Sequence, residues 1–375
     1  MQQVIDYSVK LKFKNRRKAF ILTSLLTFVS FFFSVFAAER TDLNKIKTAL
    51  NKGVNISYLE QYWVNPEILY KIDIEPKLKA IAKAGFKTVR LPVAFDHYMA
   101  DSYAELSGAL IQKLHLIYSR CKQLNLNLVI VYHYGKLQNE NLYAENDRII
   151  RIWKQVIYSM QGYASNQLFF ELYNEPTTDM DIWKSSITTI VRELRKADPE
   201  RIFIIGGANY NGYNELLHMG RLSVDDGKLL YTFHFYEPYI FTHQGADWTA
   251  EKTFITGFPY PYKQNKMPGL YNAPANSSLA KDYERYPREA NYSYLHQRIQ
   301  YIYEEAKRLN LPLICTETGV INLADKKSRA AYLSNITSIM NEFSIPVILW
   351  DWDDKFAVMD NNKAIKQIRP WLKKD

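Results

Sequence analysis

The chain has 375 residues, 47% hydrophobic and 23% charged, which excludes a disordered or fibrous polymer and leaves apolar mass for a large core. Its net charge of +9 hints at an anionic partner, but residues 1–38 hold six Lys and Arg against the single acid Asp6, so the remainder carries +4. No nucleic-acid-binding motif accompanies that charge, so no nucleic acid is expected as a partner.

The first element is N-terminal. Lys10, Lys12, Lys14, Arg16, Arg17 and Lys18 precede an apolar run from Ala19 to Phe36, then small Ala37 and Ala38, then polar Glu39 and Arg40. That order is an export signal, giving residues 1–38 as signal peptide, residues 39–375 as the mature domain, and a secreted or periplasmic protein. The apolar run is long for a signal, so an uncleaved membrane anchor is the alternative.

Beyond it, short apolar runs fall at residues 53–57, 88–93, 128–133, 168–173, 201–207, 229–236, 313–316 and 347–350. Continuous apolar character suits parallel strands buried on both faces. Helix-like stretches lie between them, among them residues 74–84, 106–123, 181–196, 294–309 and 329–342. Eight strand-then-helix units predict an α/β fold, a single-domain (β/α)8 TIM barrel; an open doubly wound sheet is the alternative. One connection breaks the rhythm. Residues 238–290, after the sixth strand, read as a long loop rich in Tyr, Pro, Gly and Asn, and Trp248, Phe258, Tyr260 and Tyr262 suggest a lid or subsite wall. Cys121 falls in a helix-like stretch and Cys315 in a strand, so both are expected as buried free thiols.

The polar residues gather at strand ends. Arg90 lies inside the second run, and His133, Asn174-Glu175, His234 with Tyr236, Glu317 and Trp350 close five others in turn, the side of a barrel where active sites lie. Two glutamates on strands four and seven face each other across such a mouth. Glycosidic cleavage needs that pair: a proton for the leaving oxygen and a carboxylate beneath the anomeric carbon. Arg90 would keep Glu317 ionised, Tyr236 would donate to it, Asn174 would bind the sugar 2-hydroxyl, and Trp350 offers a flat face for a ring.

In that order and on those strands the residues resemble glycoside hydrolase family 5, the cellulase family of retaining (β/α)8 glycosidases. The string Phe170-Glu171-Leu172-Tyr173-Asn174-Glu175-Pro176 is similar to the signature around the family's acid/base. The resemblance covers roughly residues 50 to 371. It implies Glu175 as acid/base, Glu317 as nucleophile, Arg90, Asn174 and Tyr236 as their positioning partners, and His133 and His234 along the −1 sugar. It also implies a cis peptide after Trp350. No cofactor and no metal are implied, and a monomer is expected.

The resemblance points to a polysaccharide or oligosaccharide substrate and an endo-β-1,4-glucanase, with residues 241–248 similar to a loop of cellulase-like members. An endo-β-mannanase or another β-glucan hydrolase is the alternative within the family. A non-catalytic carbohydrate-binding pseudoenzyme and a metal-dependent hydrolase using His133, His234 and Glu317 are alternatives of other classes. Two departures stand out: Thr318-Gly319 where many members carry Phe-Gly, and Ala208-Asn209-Tyr210-Asn211 where a Trp is common. Glu171 reads as a buried, paired carboxylate beneath the site. Asp351, Asp353 and Asp354 read as a solvated acidic loop. Trp63 and Trp248 are stacking candidates, while Asp96 and His97 touch a distal sugar or belong to an ordinary loop.

Overall fold

A computed structural model describes residues 43–65, 67–100, 103–249, 255–270, 277–360 and 363–373. The signal-like segment of residues 1–38 lies outside the described residues, and among those described no helix is long and apolar enough to cross a membrane.

The unit Ile46–Asp375 is built on strands β1 (Gly53–Asn55), β2 (Thr88–Val93), β3 (Asn127–Tyr132), β4 (Leu168–Glu171), β5 (Phe203–Gly206), β6 (Leu229–His234), β7 (Leu313–Thr318) and β8 (Val347–Leu349). Each pairs in parallel with the next, and β1 pairs with β8. The sheet therefore closes into the expected barrel. The strands are buried and mostly apolar because the interior and an outer helical layer cover both faces.

That layer includes α1 (Glu75–Ala84), α2 (Gly108–Gln123), α3 (Leu142–Ser159), α4 (Met180–Arg195), α5 (Tyr213–Met219), α6 (Ser278–Glu289), α7 (Tyr292–Arg308) and α8 (Lys326–Glu342). Side chains from Ser107, Asn291 and Asp325 cap α2, α7 and α8, satisfying N–H groups the helices leave unpaired. α1 ends at Gly85 with φ 102°, a left-handed cap that glycine takes without strain. Two buried indoles fasten helices to strand ends: Trp153 of α3 donates to the Leu172 carbonyl at 3.0 Å, and Trp183 of α4 to the Gly206 carbonyl at 2.8 Å. Cys121 and Cys315 are buried and free.

Most strands leave the ladder a residue or two before their apolar run ends. β7 does the reverse and continues to Thr318. Its register slips against both neighbours, since Phe233 and His234 pair with Cys315 and Glu317, and Val347 and Leu349 with Cys315 and Thr318. Each slip adds a residue to β7, a bulge that re-aims its side chains.

Residues 238–290 are less loop-like than their composition suggests. They hold a helical turn at Tyr239–Thr242 and the whole of α6. α6 is hidden in the sequence because it is strongly polar, buries only Ala280 and Tyr286, and carries Pro287 near its end.

Candidate active site

Glu317, Glu175 and His234 meet at the C-terminal mouth of the barrel. One side-chain atom from each lies within 4.8 Å of the others. The two carboxyls are held differently. Glu317 Oε1 accepts from Arg90 Nη1 at 2.7 Å and Oε2 accepts from the Tyr236 hydroxyl at 3.0 Å, so both oxygens are oriented. Among the described residues, Glu175 has no Lys or Arg in contact. Its Oε1 lies 2.7 Å from His234 Nδ1, and its side chain keeps 33% of its surface open to the cleft.

Arg90 is the centre of the layer below. Its Nε and Nη2 grip both oxygens of Glu171 at 2.7 and 2.8 Å, a bidentate pair with no solvent access. Nη2 also donates to Asn174 Oδ1 at 2.7 Å and Nη1 to Asn55 Oδ1 at 2.8 Å. Asn55 in turn donates to the carbonyls of Thr316 and Leu349, pinning β7 and β8 at the level of Glu317. Thr316 Oγ1 donates to Glu171 Oε1 at 3.3 Å and contacts Thr232 Oγ1 at 2.7 Å. Thr316 and Glu317 are consecutive yet both reach inside. Strict alternation would send one of them outward, and the β7 bulge is what lets both turn in.

Burial sets the proton affinities. It lifts Glu175 to about 7, with the positive charge of Arg90 opposing and Glu171 assisting. Burial raises Glu317 as well, against the pull of His234 and Arg90. Tyr236 is pushed well above 10 by burial and by Glu317, so it stays a donor. His234 is lowered to about 4 and His133 well below 6.5, both chiefly by burial, so both rings are neutral at pH 7.

Rings wall the cleft. The His133 and Trp350 planes are near parallel with centroids 5.8 Å apart, and the peptide after Trp350 is cis. Gly319 makes room for that segment, because a Cβ there would sit 2.1 Å from the Trp350 carbonyl oxygen. From His133 the wall runs through Tyr134, Trp63 and Tyr62 to His97, with Trp63 55% and Tyr134 51% exposed. Tyr236, His243, Phe356 and Trp248 form a second cluster. A groove of about 540 Å³ beyond it is lined by Asp247, Trp248, Asn322, Asp353 and Lys355. Phe356 stands between that groove and Tyr236.

The family model for cellulase, glycosyl hydrolase family 5, matches residues 47–356. The chain belongs to glycosyl hydrolase family 5. Among family-related proteins, Endoglucanase 3 of Fibrobacter succinogenes is 28% identical over 347 residues, covering 84% of this chain and 51% of its own length. The chain thus spans about half of that relative. Endoglucanase C of Acetivibrio thermocellus is 27% identical over 324 residues, covering 80% of this chain and 90% of its own. The solved structure of a hyperthermophilic endo-β-1,4-glucanase with substrate superposes with a TM-score of 0.71 at 25% identity, covering 88% of this chain and 98% of that one. Endoglucanase Cel5A of Thermotoga maritima shares the fold at a TM-score of 0.72 and 22% identity, covering 88% of this chain and 99% of that one.

Arg90, His133, Asn174, Glu175, His234, Tyr236, Glu317 and Trp350 are all brought to this one mouth. Asp351 corrects an expectation. It is fully buried rather than solvated, accepting from Ser57 Oγ at 2.6 Å and from Asp354 N at 3.2 Å, because the chain turns down beneath Trp350. Asp353 pairs with Lys77 instead. Asp96 is tied to Arg148 and Tyr132, while His97 stacks on Tyr62. Asn55 is a site residue that the sequence reading passes over, although a lone amide inside an apolar strand is its signal.

Proposed function

We propose that this family 5 chain is a retaining endo-β-1,4-glucanase with Glu175 as acid/base and Glu317 as nucleophile. The unequal partnering of two facing carboxyls carries the reading. Their oxygens approach within 4.8 Å, near the roughly 5–5.5 Å carboxyl spacing of retaining enzymes rather than the wider gap that admits a water. Glu175, lifted to about 7, holds a proton for the leaving oxygen in mildly acid solution. Glu317, aimed by Arg90 and Tyr236, attacks the anomeric carbon as that C–O bond breaks. Glu175, now ionised, then takes a proton from the water that releases the glycosyl-enzyme. Asn174, held by Arg90, supports the sugar 2-hydroxyl, while His133, His234 and Trp350 line the ring.

The relatives named endoglucanase support a β-1,4-glucan as substrate, with mannan the competing polymer. The reading includes export through residues 1–38, a catalytic domain of residues 39–375, a secreted or periplasmic location and a monomeric state.

Reducing-sugar release from carboxymethylcellulose, mixed-linkage glucan, xyloglucan and galactomannan tests it, with Glu317→Ala alongside. Release from the glucans by wild type and none by Glu317→Ala is expected. A variant that keeps full turnover removes Glu317 from the mechanism, and release from galactomannan alone reassigns the substrate.

A further inference from the structure

Tyr236 reaches Glu317 from two residues beyond β6. The last ladder-like bond before it runs from Phe235 N–H to the Glu317 carbonyl at 2.9 Å. The next residue is anchored by its side chain instead. Glu237 projects away from the cleft into the helical layer, where Oε1 accepts from the Tyr213 hydroxyl at 2.6 Å and Oε2 from the Tyr294 hydroxyl at 3.1 Å. Arg298 Nε lies 3.4 Å from Oε2, and Arg298 Nη2 donates to the Tyr294 hydroxyl at 2.8 Å. One carboxylate thereby gathers α5 and two turns of α7. The flanking backbone is held as well, since Tyr332 of α8 donates to the Glu237 carbonyl at 2.9 Å and Thr242 Oγ1 to the Tyr236 carbonyl at 2.6 Å.

We propose that Glu237 is a positioning residue that aims the Tyr236 hydroxyl at Glu317 by anchoring the backbone beside Tyr236 to α5 and α7. This rests on the reading of Glu317 as nucleophile. A phenol donates well to a carboxylate only over a narrow range of distance and angle. Tyr236 has no strand ladder of its own to fix that aim; Thr242 holds its carbonyl, and the side chain of Glu237 supplies the anchor on its other flank. The anchors are stiff: phenol hydroxyls on buried or half-buried rings, and a guanidinium that also lies over the Tyr294 ring at 5.2 Å. The same carboxylate ties in Tyr213, which follows the left-handed residues Asn209, Tyr210 and Asn211 after β5, so the ends of β5 and β6 are locked to one another.

The test uses the full chain with Glu237→Ala, Glu237→Gln, Tyr236→Phe and the Tyr236→Phe/Glu237→Ala double variant. Two quantities are read: kcat/KM on an aryl β-cellobioside, and the titration of the Glu317 carboxyl by ¹³C NMR, assigned by its loss in Glu317→Gln. We expect Glu237→Ala to lower kcat/KM about tenfold, the scale of one misaligned charged hydrogen bond, and to move the Glu317 titration upward, as Tyr236→Phe does. In the Tyr236→Phe background it should add nothing, and Glu237→Gln, which still accepts from Tyr213, should recover most of the loss. Independent, multiplying effects of the two single variants, or a Glu317 titration unmoved by Glu237→Ala, would overturn the proposal. A wild type without turnover defeats the functional reading, yet the carboxyl titration still decides the role of Glu237. Should the alanine variant fail to fold, Tyr294→Phe removes one donor to Glu237 and gives the same comparison at smaller amplitude.

Discussion

Glu175 and Glu317 are the same residue type at the same mouth, and their different work comes from what touches them. Burial raises an acid's affinity for its proton, and a contacting cation opposes that rise. Glu317 has Arg90 at 2.7 Å and Glu175 has only a neutral imidazole, so Glu175 is the carboxyl poised to hold a proton near neutrality. An acid lifted to about 7 is protonated below that pH and ionised above it, so proton donation should fade on the alkaline side. The pH profile of kcat/KM on cellooligosaccharides should therefore fall above about 7, and Glu175→Ala should lose about 10²–10⁴-fold on them below that pH. A dinitrophenyl cellobioside leaves without a proton, so the same variant should keep far more of its glycosylation rate on it and show no alkaline limb. Equal losses on both substrates would take the acid role away from Glu175. At this scale the sequence was readable where a polar residue interrupts apolar ones at a strand end. It was not readable for Thr316, whose inward turn depends on the bulge, nor for Glu237, whose partners lie 24 and 57 positions away.

Among the elements, the strands announced themselves because a parallel barrel strand must be apolar on both faces, and that pattern survives without any knowledge of partners. The stretch after β6 did not, because its order comes from single polar contacts rather than from periodicity. Gln244, fully buried, shows how. Its Oε1 accepts from the N–H groups of Gly257 and Phe258 at 2.8 and 3.1 Å, while its Nε2 donates to the Phe241 carbonyl at 2.9 Å. One amide thus staples the far side of the stretch to the turn after Tyr236, and a freely opening lid is not what these bonds describe. Removing it leaves two N–H groups without their partner. Gln244→Ala is expected to cost about 1–3 kcal/mol in chemical denaturation, the scale of the one buried group stranded, the Phe258 N–H, since Gly257 is exposed. It should also expose the residues around Gly257 to limited proteolysis ahead of the barrel. A variant as stable and as protease-resistant as wild type would mean that the stretch is held by its apolar side chains alone, such as buried Phe258 and Tyr260.

Across the whole molecule, buried ionisable groups fall into two sets that pull stability in opposite directions with pH. Burial raises Glu60 to about 8 and Asp351 and Glu175 to about 7, from ordinary values of 4.5 for the glutamates and 3.8 for the aspartate. Each carboxyl costs the fold nothing below its unfolded value, where it is protonated in both states. As pH climbs from the unfolded value to the folded one the unfolded chain gives up its proton first, and stability is lost. Burial lowers His234 to about 4 and His243 to about 3, from 6.5. Above 6.5 those rings are neutral in both states, and stability is lost as pH falls toward the folded values. The sets oppose each other between about 4.5 and 6.5, and above that only the acids still titrate. The melting midpoint should therefore drop between pH 6 and pH 8, whatever the enzyme's own pH profile. Asp351 is the acid to test, because it lies outside the contacts of Glu317 and Asn can still accept from Ser57. Asp351→Asn carries no titrating carboxyl beside Asp353, Asp354 and Arg329, so its midpoint should fall less than that of wild type over the same interval. Scanning calorimetry at the two pH values reads both. A wild-type midpoint that is level or rising from pH 6 to pH 8 would show that these carboxyls fold in their ionised form, with the fold supplying charge where burial alone argues for protons.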